Sequence, residues 1–319
     1  MTEHQSLLTL VDALNAAADV VLVPGTKPLG NAVFVGSGDS LSSAMIATRF
    51  GHRAMSSGDI TWADALPASC DTLVGISHSG TSGATVRALH LAQRSGMRTI
   101  AITSNPDSPL AEAADEVQPV PSLQLAEVIP CAGHLMLGLG VASLSGVHTE
   151  GATRDLARIL EMSMQIIAGA VEALPSEAPS GISVLTLPDM RSAGDFWMLK
   201  LIEACGLPVR SVALEESGHV DYFIGPQPYL ALSLVGRQGM ARHSRLAEAL
   251  ASTGQRTQQV AVLSPSGDIR SEVLADLAAA AIGTFTAEGA AARWGRPPFR
   301  GGAVNMDARH IKLDEQPIG

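Results

Sequence analysis

Aromatic side chains are scarce here: they make up 3% of 319 residues, although hydrophobic residues of all kinds reach 46%. A core built on stacked rings is therefore excluded. The interior must be filled by Ala, Val, Leu, Ile and Met, with Gly allowing close approach, which suits buried parallel sheets under small-residue helices. Cysteine is scarce as well. Cys70, Cys131 and Cys205 stand alone and are odd in number. They lack the paired spacing of a zinc site or a disulfide framework and are expected as buried free thiols. Positive charge is thin, with 21 Lys and Arg against 31 Asp and Glu and a formal net charge of -10. A nucleic-acid partner is not expected, because a backbone binder needs a concentrated basic surface. Arg293, Arg296 and Arg300 form the one modest basic cluster. It reads either as a solvated tail or as arginines meeting an anionic ligand or another subunit. No charge-free apolar run of membrane-spanning length is evident. The Leu7–Leu14 stretch, with Glu3 ahead of it, lacks the basic and cleavage features of a signal peptide. A cytoplasmic protein without membrane contact is expected.

What is present is an alternation of short apolar runs and helix-compatible segments. A helix is expected over Leu7–Val21, then a strand at Asn31–Val35, the loop Gly36–Ser40 and a helix over Leu41–Phe50. The order repeats as strand Thr72–Ile76, loop Ser77–Ser82, helix Ala84–Ser95, strand Arg98–Thr103, a turn at Asn105–Pro109 and a short helix Leu110–Ala114. Helices are expected over His134–Leu144 and Asp155–Ala173. Pro175, Pro179 and Gly181 suggest a division into residues 1–174 and 175–319. The second part reads as strand Ile182–Leu187, loop Arg191–Asp195, helix Phe196–Cys205 and strands Val209–Leu214, Tyr229–Val235 and Gln259–Leu263, with helix Ala241–Ala251 between the last two. Strand–helix–strand with short joins predicts an α/β fold with mostly parallel open sheets covered on both faces. Both parts begin with strand, Gly-containing loop and helix, which is consistent with an internal duplication offset by roughly 150 residues.

The richest local signal is Ser77-His78-Ser79-Gly80-Thr81-Ser82. Hydroxyls gather where a strand gives way to a helix, whose first N–H groups have no intrahelical acceptor and whose dipole is positive there. That chemistry suits a phosphate. No lysine lies nearby, so the loop is not a nucleotide P-loop. Ordinary helix capping would use the same residues. Gly36, Ser37 and Ser40 read as a second loop lining a ligand, with Ser40 equally an N-cap. Ser104 lies after the next strand, on the edge where open sheets bind ligands. His78 and Thr81 are further candidate contacts. Arg191 is a candidate for a phosphate, carboxylate or sugar oxygen. Lys200 reads as a snorkelling side chain. Glu216 and His219 are three residues apart after a strand, so one helical turn would put them on one side. They suit proton transfer beside a carbonyl, or else an exposed acidic turn with a capping histidine. His52, His90, His134, His148 and His243 form no recognisable metal pattern, and no metal or cofactor is expected.

Ile76–Ser82, followed by Ile100-Ala101-Ile102-Thr103-Ser104-Asn105-Pro106-Asp107-Ser108-Pro109-Leu110, resembles the double-domain sugar isomerase (SIS) family. The usual pattern there is Ser-x-Ser-Gly-x-Thr, and Ser82 stands at its last position. The resemblance covers most of residues 30–120 and implies two SIS-like three-layer α/β/α domains. It also implies a sugar phosphate held by Ser77, Ser79 and Ser82, with the Gly36–Ser40 loop beside it. In relatives such as the isomerase half of glucosamine-6-phosphate synthase and the deaminase or deglycase-like enzymes, a Glu-x-x-His segment lies at the active site. Glu216 and His219 match it, but Val220 replaces the following Gly and the next Pro is absent. The implied activity is aldose–ketose isomerisation of a sugar phosphate, including amino-sugar phosphates, through an enediol or enolamine. Deamination or deglycation by related proton chemistry stays open, as does a non-catalytic sugar-phosphate sensor. A homodimer is implied by the family alone.

Overall fold

Short strands, most apolar at the sheet centres and mixed in polarity at the edges, alternate with helices and build two separate parallel sheets. The computed structural model describes residues 3–18, 22, 28–237, 239–263 and 267–296. The helix expected over Leu7–Val21 runs instead from Glu3 to Ala16, with 17–18 a turn, and the tail beyond 296, with Arg300, lies outside the described residues. In chain order the elements begin with α1 (Glu3–Ala16), β1 (Ala32–Gly36), α2 (Asp39–Met45), β2 (Arg53–Ser56) and α3 (Ser57–Ala63). Next come β3 (Thr72–Ile76), α4 (Gly83–Arg94), β4 (Arg98–Thr103), α5 (Pro109–Glu112), β5 (Glu116–Pro119), α6 (Ala132–Leu144), α7 (Ala152–Met162) and α8 (Met164–Glu172). The rest are β6 (Gly181–Thr186), α9 (Arg191–Cys205), β7 (Val209–Ala213), α10 (Ser217–Val220), β8 (Tyr229–Val235), α11 (Met240–Ser252), β9 (Arg256–Ala261) and α12 (Ile269–Arg293).

The chain divides into two compact units. Among the described residues, one holds those within 17–124 and 132–152, and the other holds those within 3–16, 125–131 and 153–296, so the chain passes between units near 16, 124, 131 and 152 and not at the expected division between 174 and 175. The first sheet runs β2-β1-β3-β4-β5 and the second runs β7-β6-β8-β9. Every pairing is parallel. The α/β architecture expected from the sequence is thus present, and β1 and β6 occupy the same place in their two sheets.

In the first unit Val33, Val35, Leu73 and Ala101 from adjacent strands pack with Ala88, Leu89 and Ala92 of α4. Each fully buried large aliphatic side chain contributes about 1.5–3 kcal/mol relative to exposure. In the second unit α12 is buried along its apolar length, with Trp197 of α9 against Gly283. A Cβ at Gly283 would lie 2.3 Å from the Trp197 ring, so only glycine lets the two helices meet. Trp197 Nε1 donates to the Ala279 carbonyl at 2.6 Å. The α12 helix is long and apolar enough to cross a membrane by composition, yet all of that window is buried inside the protein.

Several expectations need correction. The segment 41–50 is α2 followed by a 3-10 turn at Ile46–Phe50. The single helix expected over 155–173 is broken at Ser163, whose hydroxyl donates back to the Ile159 carbonyl at 2.7 Å. Arg191–Asp195 is not a loop but the first turn of α9, where Arg191 and Asp195 form an i,i+4 ion pair at 3.3 Å. The last strand is Arg256–Ala261 rather than 259–263. Cys131 and Cys205 are buried, but Cys70 is only half-buried. Burial pushes the Cys205 thiol up to about 12. Arg293 Nε donates to the Pro175 carbonyl at 3.2 Å and Arg296 donates to the Cys205 carbonyl, so these two arginines bind their own unit.

Candidate functional site

Parallel pairing of β1, β3 and β4 sends the loops that follow them to one carboxyl edge of the first sheet. The chain moves to β2 on one side of β1 and to β4 on the other side of β3, which makes the β1/β3 boundary a topological switch point. Open α/β sheets take ligands in the crevice outside such a point. Gly36, Ser37 and Ser40, Ser77–Ser82, and Ser104 all belong to this edge.

The Ser77–Ser82 loop is held from beneath. The Ser77 N–H donates to the Ile102 carbonyl at 3.1 Å, and its side chain is buried. The His78 carbonyl accepts from the Ser104 N–H at 3.1 Å, the Ser104 hydroxyl at 2.7 Å and the Thr103 hydroxyl at 3.1 Å. The Leu110 N–H donates to the Gly80 carbonyl at 3.0 Å. Gly80 has φ of 69°, and a Cβ there would lie 1.9 Å from Ser108 Oγ. Both the backbone conformation and the space demand glycine.

Above this support the hydroxyls face outward. Ser79 and Thr81 are exposed, with their oxygens 2.8 Å apart. Ser82 is the N-cap residue of the 12-residue α4, but its side chain does not cap the helix. Instead Ser82 Oγ accepts from Thr85 Oγ1 at 3.1 Å, and Thr85 Oγ1 lies 2.8 Å from Ser57 Oγ. Because the Thr85 hydrogen is spent on Ser82, Ser57 donates to Thr85. The Ser57–Thr85–Ser82 chain leaves the Ser82 hydrogen for an acceptor beyond the loop. His78 is half-buried over Gly133 of α6, and desolvation lowers its pKa, which favours the neutral ring.

Ser57 and Thr85 carry no sequence signal for this role. Ser57 opens a short helix in a stretch without marked periodicity, and Thr85 reads as a plain helix residue. The second loop differs from expectation at Ser40: the N-cap of α2 is Gly38, with φ of 56°, and Ser40 lies inside the helix. Nearby, buried Ser43 Oγ lies 2.9 Å from His134 Nδ1, which fastens α2 to α6. The role of His134 within this unit is therefore packing.

The remaining candidates lie in the other unit. Arg191 opens α9 after β6 and is engaged with Asp195. Glu215 and Glu216 lie in a 3-10 turn after β7, and Ser217–Val220 forms α10. Glu216 and His219 are both exposed, on the same short turn as their spacing implied. Glu215, not Glu216, pairs with Arg242, at 2.7 Å. Lys200 is wholly buried rather than snorkelling, paired with Glu203 at 2.8 Å and 4.7 Å from the Phe196 ring centroid. Sequence reasoning also missed Asp221, a fully buried carboxylate next to this turn.

Residues 30–124 match the family model of the SIS domain, a span that covers the first sheet. The N-acetylmuramic acid 6-phosphate etherase of Symbiobacterium thermophilum is 35% identical over 109 residues, 34% of this chain and 35% of that protein. The 3-hexulose-6-phosphate isomerase of Mycobacterium gastri is 40% identical over 82 residues, 26% of this chain and 40% of that protein. The matched regions thus span well under half of these relatives. Over nearly the whole chain, the structure of glucosamine-6-phosphate deaminase from Thermotoga maritima superposes with a TM-score of 0.70. It covers 92% of this chain and 96% of that one at 18% identity, a likeness of fold.

Proposed function

We propose that this protein is a phosphosugar isomerase with two SIS-like domains and that it works as a cytoplasmic homodimer. The observation that carries this reading is the hydroxyl loop Ser77–Ser82 at the head of α4, with Ser79 and Thr81 exposed, within the span that matches the SIS domain. Ser77, Ser79 and Ser82 hold the phosphate, with Thr81, His78, Ser104 and the Gly36–Ser40 loop around the sugar. A phosphate in this place meets the positive end of α4 and hydroxyl donors without a lysine. Glu216 moves a proton between C1 and C2 of the open-chain sugar, and the intermediate is an enediol, or an enolamine for an amino sugar. His219 serves a sugar oxygen or opens the ring. Arg191 contributes only if it exchanges its partner Asp195 for substrate.

The exposure of both Glu216 and His219 favours a second reading, a sugar-phosphate sensor that binds without turnover. One experiment separates the two. The protein is incubated with hexose and amino-hexose 6-phosphates in heavy water, and NMR follows deuterium entry at C2 and product formation. The isomerase reading expects exchange that falls at least ~100-fold in E216Q. Ammonia release in place of a ketose would identify a deaminase. Tight binding with no exchange across the panel would establish the sensor. In parallel, S79A is expected to lower the preference for phosphorylated over free sugar by roughly tenfold or more, the cost of one hydrogen bond to a charged group. An unchanged preference would remove the phosphate from this loop.

A further inference from the structure

We propose that Asp221 is the positioning residue for the Glu216–His219 turn, which it holds through buried hydrogen bonds. The inference rests on Glu216 and His219 being the catalytic pair. Its physical basis is the weakness of the helical run at 214–223, in which α10 supplies a single α turn of four residues between two 3-10 turns. A single helical turn fixes several dihedral angles for very few hydrogen bonds and does not hold itself in water.

Asp221 supplies the missing hold. Its side chain is fully buried. Oδ2 accepts from the Ser217 hydroxyl at 2.7 Å, and Oδ1 accepts from Arg210 Nη2 at 2.8 Å and from the Ser183 hydroxyl at 2.5 Å. Arg210 Nε also donates to Ser183 Oγ at 2.8 Å. With the Ser183 hydrogen spent on Asp221, the contact of Tyr229 Oη with Ser183 Oγ at 3.2 Å has Tyr229 as donor. The Arg210 guanidinium lies 5.3 Å from the Tyr229 ring centroid.

Ser183 and Arg210 belong to β6 and β7, so one carboxylate ties the crossover to two strands of the second sheet, and Tyr229 of β8 joins through Ser183. The two tied positions on the crossover are Ser217 and Asp221. His219 lies between them and Glu216 immediately precedes the first. Both ends of the turn are fixed while its two reactive side chains stay exposed. A buried carboxylate that meets this many donors is costly to leave incomplete and specific in what it holds.

The test is D221N, which keeps the volume and an accepting oxygen but loses the charge. Turnover is measured on the hexose and amino-hexose 6-phosphates, and binding is measured with sorbitol 6-phosphate, an acyclic phosphate that cannot isomerise. The expected result is a kcat at least tenfold lower, with KM and the sorbitol 6-phosphate Kd within about twofold of wild type, because the phosphate loop lies in the other unit. Amide hydrogen exchange is expected to quicken at least tenfold in 217–221 and to stay unchanged in β6 and β8. Unaltered kcat and unaltered exchange in D221N, with E216Q inactive, would overturn the proposal alone. A uniform rise in exchange across the second sheet would also overturn it, by making Asp221 a general stability residue. Absence of turnover in the wild type, with faster exchange confined to 217–221 in D221N, would reject the catalytic reading and keep the anchor.

Discussion

The first sheet runs β2-β1-β3-β4-β5 and the second β7-β6-β8-β9, so β3 and β8 occupy corresponding places. The loops that leave these two strands differ. After β3 come Ser77-His78-Ser79-Gly80-Thr81-Ser82, hydroxyls on a braced loop ahead of α4. After β8 come Gly236-Arg237-Gln238-Gly239, with no hydroxyl ahead of α11. The second sheet gathers its polar side chains after β7 instead, at Glu215, Glu216, Ser217 and His219. The same winding therefore makes the same kind of edge twice, and side chains alone decide what each edge does. Topology supplies a helix terminus and a crevice. The hydroxyl relay Ser57–Thr85–Ser82 is what the first edge adds to a bare turn.

The largest expected effect on this contrast comes from Gly80→Ala. The change forces a Cβ into Ser108 at a positive φ, at a cost of about 3 kcal/mol. Urea unfolding should show that loss, and affinity for sorbitol 6-phosphate should fall more than ~10-fold. Wild-type affinity in this variant would mean that the ligand is not held at the first edge.

The next effect belongs to the second unit and should leave the ligand untouched. Desolvation, helped by the nearby carboxylates Glu3 and Glu127, pushes buried Glu288 up to about 7 from an ordinary 4.5. The folded form then keeps a proton that the unfolded chain releases. That favours folding below pH 4.5, and the benefit is lost as pH climbs to about 7. Glu288→Gln stays neutral, so at pH 8 it should be more stable than wild type by about 2–3 kcal/mol. The gain should vanish at pH 4. Equal stability of the two proteins at pH 8 would contradict the burial of a charged group there.

The smallest effect is expected at the second edge itself. Glu215 and Arg242 pair at 2.7 Å, but both side chains are more than half exposed. Glu215→Ala should change stability by less than about 1 kcal/mol and leave turnover within twofold. A loss of turnover as large as that expected for Glu216→Gln would move the catalytic carboxylate one residue along the chain.

Much of this contrast is legible in the amino-acid order. The runs Thr72–Ile76, Arg98–Thr103 and Tyr229–Val235 mark their strands to the residue, because strands covered on both faces are continuously apolar and end at Gly, Pro, Ser or Asn. The Ser77–Ser82 cluster is visible because its hydroxyls are close together in sequence where a strand gives way to a helix. The edge strands β2 and β5 are not visible, being four residues each and mixed in polarity. Nor is α12, whose alanines face protein on every side and leave no helical stripe to read. Only the tertiary structure decided that Ser57 completes a relay to Ser82, that Lys200 is buried, and that Asp221 ties a short helical turn to β6 and β7. The relay and the Asp221 bonds join side chains from distant parts of the chain, and the burial of Lys200 depends on what covers α9, so all three are set by packing rather than by local order.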